Sequence, residues 1–109
     1  MLTQIVLLKW TESATSEQRG QAATALASLP GLVPEIRSLA LVTDAGLRPD
    51  NFDVALVTSF DDEAAWERYQ THPEHLRVVK GAVAPILAAK AAVQLTGSPS
   101  ALGGGSPDE

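Results

Sequence analysis

The chain has no cysteine. Disulfides, thiolate metal sites and a thiol nucleophile are therefore excluded. Basic residues are few and scattered. Lys9, Arg19, Arg37, Arg48, Arg68, Arg77, Lys80 and Lys90 do not cluster into the patch or stripe that binding a phosphate backbone requires. With 13 acids against 8 bases the formal charge is −5, so no nucleic-acid partner is expected. No apolar run approaches the roughly 20 residues of a membrane span, so no membrane partner is expected either. The opening "MLTQIVLLKW" lacks a basic start and meets Lys9 too early for a secretory signal, which predicts a cytoplasmic location. Aromatics are scarce too: Trp10, Phe52, Phe60, Trp66 and Tyr69 are the whole set. A chain of 109 residues makes one domain. At that size folding buries roughly two-thirds of the unfolded surface. So thin a core predicts further burial by self-association.

What is present alternates between strand and helix patterns. "TQIVLLKW" (3–10) is apolar on both faces, with Ile5 and Leu7 on one and Val6, Leu8 and Trp10 on the other. It predicts a strand covered from both sides. "TSEQRGQAATALASLPG" (15–31) predicts a helix. Thr15 and Gln18 fit a capping box, Ala22, Leu26 and Leu29 follow helical spacing, and Pro30-Gly31 is expected to stop it. "IRSLALVTDAG" (36–46) and "FDVALVTSF" (52–60) predict a hairpin across the turn "LRPDN" (47–51).

"DDEAAWERYQ" (61–70) opens with three acids, which suits a helix N-terminus, and Ala65, Trp66 and Tyr69 form its apolar stripe. The residue before a proline resists the helical region, so this helix is expected to end near His72. Pro73 then opens a third, short helix running to about Val83. "ILAAKAAVQL" (86–95) has the propensity of a helix. The pattern before it, however, leaves a sheet without its last strand, and it reads as that strand. Residues 96–109 are rich in Gly, Ser and Pro and read as a disordered tail, leaving 1–95 as the domain.

The order β-α-β-β-α-α-β implies an α+β fold, an antiparallel sheet with helices on one face. A monomer would leave an apolar sheet face in water. A homodimer with two sheets face to face would cover it and make an α+β barrel.

Four stretches carry a resemblance: the opening strand "QIVLLKW", the link "LPGLVPEIRSLALVTD", the segment "FDVALVTSFDDEAAWERYQTHPEH", and the closing strand. Together, over about residues 3–95, they resemble the stress-responsive A/B barrel (Dabb) family of dimeric α+β barrels. The resemblance implies a ferredoxin-like βαββααβ sheet, a homodimer, and a cavity enclosed by the sheets. Through the family's cofactor-free polyketide cyclases it also implies ring closure by intramolecular aldol condensation. The catalytic His of their "HPxH" motif matches His75, and the assisting Tyr six residues earlier matches Tyr69. The family's frequent first-strand His is Gln4 here. A second cavity Tyr falls near Leu26, and other cavity aromatics fall on small residues such as Ala22. The acid–base pair therefore carries over while the pocket has another shape, which implies another substrate. No cofactor is implied.

The residues themselves permit this chemistry. "YQTHPEH" (69–75) holds the only Tyr and both His. With Pro73 as first helical residue, His75 is the third. The positive end of the helix dipole then lowers its pKa below the ordinary ~6.5 and favours a neutral base. Tyr69 and Gln4 are candidates to donate hydrogen bonds to a substrate carbonyl. Gln4, Val6, Leu8, Leu26, Leu56 and Val78 are the expected ligand-lining residues. Plainer readings stand beside these: His75 as a packed or capping residue, Tyr69 as part of a core stripe, His72 as a cap. His72-x-x-His75 spans a helix break, so no metal site is expected. Three functions stay open. One is a cofactor-independent cyclase, lyase or isomerase acting on a small apolar or aromatic molecule. The others are a non-catalytic stress or interaction protein and a cofactor-free monooxygenase of the antibiotic-biosynthesis type.

Overall fold

The computed structural model describes residues 1–96. Of the tail expected over 96–109, Thr96 instead ends the last strand, paired with Leu2, and the rest lies outside the described residues. Four strands, β1 (Leu2–Trp10), β2 (Ser38–Thr43), β3 (Val54–Phe60) and β4 (Leu87–Thr96), form one antiparallel sheet in the order β2-β3-β1-β4. Helices α1 (Ser16–Ala27) and α2 (Leu29–Leu32) connect β1 to β2. Helices α3 (Glu63–Thr71) and α4 (Pro73–Val78), a π-helical turn (Val79–Val83) and a 3₁₀ turn (Ala84–Ile86) connect β3 to β4. This is the ferredoxin-like α+β arrangement. The alanine-rich closing segment is a strand despite its propensity. It completes the free edge of β1 in register from Leu2↔Thr96 to Leu8↔Lys90, and pairing outweighs the few tenths of a kcal/mol per residue at stake in propensity.

Local rules set the helix ends. Thr15 Oγ1 accepts the Gln18 N–H and the Gln18 side chain accepts the Thr15 N–H, closing the capping box. Asp62 caps α3 by accepting the Ala65 N–H at 2.8 Å. Three boundaries differ from expectation. Pro30 does not stop the helical path: α1 ends at Ala27 and Pro30 sits in the first turn of α2, where its missing N–H costs nothing. The hairpin strands are shorter than 36–46 and 52–60. Past Val54 the Asp53 carboxylate accepts the Trp10 N–H at 2.7 Å and its N–H donates to the Leu8 carbonyl, while its carbonyl accepts the Asp44 N–H as the last link across the hairpin. The third helix does not run unbroken to Val83 but widens into the π-turn after Val78.

Directly paired residues share a sheet face. Leu2, Gln4, Val6 and Leu8 therefore lie beside Phe60, Thr58, Leu56 and Val54 of β3, and beside Thr96, Gln94, Ala92 and Lys90 of β4. The helices cover this side, and the core sits between the layers: Leu8, Leu56 and Phe60 from the sheet against Leu26, Tyr69 and Val78. The other side carries two apolar rows that cross all four strands, Ala40–Val57–Ile5–Val93 and Val42–Ala55–Leu7–Ala91. Val42 is 55% and Val93 46% exposed there.

Phe60 is fully buried, and its ring lies 5.0 Å from that of Tyr69. Phe60→Ala is expected to lower the unfolding free energy in urea by about 3–5 kcal/mol, the usual cost of an aromatic cavity. A loss below about 1 kcal/mol would show that this contact does not anchor α3.

Candidate active site

Pro73 builds the site. It forces His72 into extended backbone, φ −64° and ψ 132°, which ends α3 and starts α4 in one step. His72 Nδ1 then accepts the Glu74 N–H at 3.1 Å, so this histidine is the N-cap of α4. His75 comes three residues later and turns back over the end of α3. Its Nδ1 lies 3.2 Å from the Gln70 carbonyl. A carbonyl only accepts, so Nδ1 carries the proton and Nε2 holds the free lone pair.

The His75 ring packs 4.2 Å from the Tyr69 ring, centroid to centroid. Burial lowers the His75 pKa below the ordinary histidine value, working against the Gln70 hydrogen bond, and the charges of His72 and Lys90 lower it further. Desolvation thus acts in the same direction as the expected helix dipole. Burial pushes the Tyr69 hydroxyl up to about 12, so it stays protonated at neutral pH. The site pairs an imidazole whose charged form is disfavoured with a hydroxyl that holds its proton.

Both side chains line a cavity of about 390 Å³, together with Gln4, Val6, Leu8, Leu26 and Leu56. It lies between the sheet and the helices of one chain. A cavity between two facing sheets was expected; this one lies on the other side of the sheet, because the even residues of β1 point to the helices, and His75 stands on that side. Val78 is buried in the core and is not in the cavity wall. Val79, four residues after His75 and one helical turn along, takes that place. A more open depression of about 500 Å³ lies near the β2–β3 loop, lined by residues such as Leu7, Val42 and Asp44, without His or Tyr. Among the described residues, no three His, Asp or Glu side chains gather to hold a metal.

Gln4 is held by two partners that the sequence did not announce. Its Oε1 accepts Trp66 Nε1–H at 2.8 Å and Gln94 Nε2–H at 2.9 Å. An indole N–H can only donate, so Trp66 fixes which way the Gln4 amide points and leaves Nε2–H as its outward donor. From the sequence Trp66 is only part of the apolar stripe of α3. Gln70 acts through its carbonyl, which carries no side-chain signature. Lys90 was lost in an alanine run whose face was unknown until β4 was placed in register.

A four-stranded sheet with a helix-covered cavity and a His–Tyr pair defines a ferredoxin-like α+β protein with a built pocket. The chain belongs to the Stress responsive A/B Barrel Domain (Dabb) family, whose model matches residues 2–95. Among proteins of curated function, none matches the sequence. Solved structures do. A dimeric ferredoxin-like protein of unknown function from Thermobifida fusca is 37% identical, with a TM-score of 0.77, over 86% of this chain and 88% of that one. A dimeric protein of unknown function from Bacteroides fragilis is 24% identical, with a TM-score of 0.75, over 86% and 93% of the two chains. A hydroxynitrile lyase from Passiflora edulis is 20% identical, with a TM-score of 0.80, over 90% and 94%. The last two share the fold. Among the described residues, no helix is long and apolar enough to cross a membrane.

The depressed His75 pKa has a definite sign. The folded protein holds fewer protons on His75 than the unfolded chain, so this contribution is complete above pH ~6.5 and is lost as pH falls through the folded value. NMR titration should place the His75 imidazole below the ordinary histidine value. His75→Gln should lose less stability than wild type between pH 7 and 5. A His75 titration at or above ~6.5 would contradict the site as described.

Proposed function

We propose that the protein works as a homodimer whose helix-covered cavity binds a small apolar or aromatic carbonyl compound and moves a proton on it without a cofactor. The reaction class is a cyclisation, aldol closure or isomerisation. The observation that carries this reading is the His75–Gln70 hydrogen bond, which leaves Nε2 as a base in a cavity whose wall holds no carboxylate. Cavity volume favours this reading over a purely stabilising role, for which Leu26 and its neighbours would close the space.

In this scheme His75 Nε2 takes a proton from a carbon next to a substrate carbonyl. The electron pair moves to the carbonyl oxygen. Tyr69 O–H, and Gln4 Nε2–H as oriented by Trp66, donate to that developing enolate. The enolate carbon attacks a second carbonyl of the same molecule, a carbon–carbon bond forms, and the imidazolium returns its proton to the new alkoxide. Atoms and charge balance with no other reagent. Desolvation keeps His75 neutral and ready, and Tyr69 stays a donor because burial disfavours its anion.

Exchange of the C3 protons of nonane-2,4-dione into D2O, followed by NMR at pH 6, tests the base. His75→Gln should slow the catalysed exchange by about 100-fold or more with little change in melting temperature. Equal rates in wild type and variant would remove His75 from the chemistry.

The homodimer rests on the two apolar rows of the open sheet face and on the dimeric relatives. Face-to-face packing of two such sheets gives a core about 10 Å thick. Light scattering should report a dimer for wild type and a monomer for Val57→Lys, which puts a charge at the middle of the face. A monomeric wild type would end this part of the proposal.

A further inference from the structure

The cavity wall holds one charged side chain that the proposed reaction does not use. Lys90 stands opposite Leu8 in the β1–β4 register, on the helix-facing side, in the same wall as His75, Gln4 and Gln94. Among the described residues no acid lies within ion-pair distance of it, and no carboxylate lines the cavity. The chain as a whole carries a formal charge of −5, so this cation opposes the general field. That field is screened beyond about 8 Å at physiological salt, and selection inside the cavity is left to the local charge.

We infer that the ligand of this cavity is an apolar molecule bearing a single carboxylate, which pairs with Lys90. The inference rests on the cavity being a ligand site, as proposed above, and adds the charge and size of the ligand. A carboxylate entering a mostly apolar cavity must be paired to offset its desolvation, and an ammonium supplies that pair as a charge-assisted hydrogen bond. One cation without a second matches a monoanion and leaves a dianionic phosphate half compensated. Size sets the body. A cavity of about 150 Å³ takes benzene, so 390 Å³ holds on the order of 15 non-hydrogen atoms. A medium-chain or single-ring carboxylic acid fits. Lys90 also acts on His75 through space, in the direction that lowers its pKa, which sets the two groups in each other's field. The carboxylate would lie beside the base and, neutralised by Lys90, would not oppose removal of a proton from a neighbouring carbon.

Calorimetric titration of the intact protein with octanoate and with 1-octanol at neutral pH tests this. Octanoate should bind wild type about tenfold or more tightly than 1-octanol, as one charge-assisted hydrogen bond implies. Lys90→Met should bring the two affinities together within about twofold, with 1-octanol unchanged. Lys80→Met, which removes the same charge from a position that is exposed like Lys90 but lies outside the cavity wall, should keep the preference. If 1-octanol binds and octanoate binds no better, the carboxylate inference is overturned while the cavity reading stands. If octanoate keeps its advantage in Lys90→Met, or loses it equally in Lys80→Met, Lys90 is not its partner and the inference is overturned. If neither compound binds, the cavity reading falls and takes the inference with it.

Discussion

The alternation of side chains along β1 governs this molecule. β1 is a central strand, paired on one side with β3 and on the other with β4. Its even residues enter the layer between sheet and helices, and its odd residues enter the opposite face. A slip of one residue would exchange Gln4, Val6 and Leu8 for Thr3, Ile5 and Leu7. The cavity would lose Gln4, which Trp66 and Gln94 hold, and that amide would turn to the open face. One register therefore sets both the proposed ligand site and the proposed dimer surface.

On that frame the proposed chemistry is concentrated at one corner. Pro73 allows no helix through His72, so the chain must bend there, and the bend places His75 over the last turn of α3. Gln70 and Tyr69 belong to that turn. One supplies the carbonyl that fixes the His75 tautomer and the other the ring that packs against it. Phe60 supports Tyr69 from the sheet. The same burial that locks the pair also moves their proton affinities apart, downward for His75 and upward for Tyr69. Packing and acid–base tuning are one effect here. The π-turn that follows α4 contributes Val79 and Val83 to the wall beside this corner, and such turns recur at functional sites.

Most of the fold was legible in the sequence because its punctuation is strong. Thr15 with Gln18, the acids before α3 and Pro73 each impose a local conformation that tertiary contacts had no reason to override. The apolar alternation of β1 and β3 demanded a sheet covered on both faces. The site was legible in part. His75 and Tyr69 stood out as the scarce polar types of a polar-poor chain, and the even face of β1 could be named as a wall. Val79 could not be told from Val78, since both follow His75 at helical spacing and only the packing of α4 selects between them. The burial of His75 was not legible either, because burial is a property of the assembled layers.

The sequence by itself determined the strand and helix periods and the break at His72–Pro73. These follow from backbone sterics and residue chemistry within a few positions. The tertiary structure alone decided that Trp66 and Gln94 hold Gln4, that Lys90 shares a wall with His75, and that the cavity lies between the sheet and the helices. Each of these joins residues from different elements, up to 90 positions apart in the case of Gln4 and Gln94. Such distances close only when the sheet order and register are set, and no local propensity encodes them.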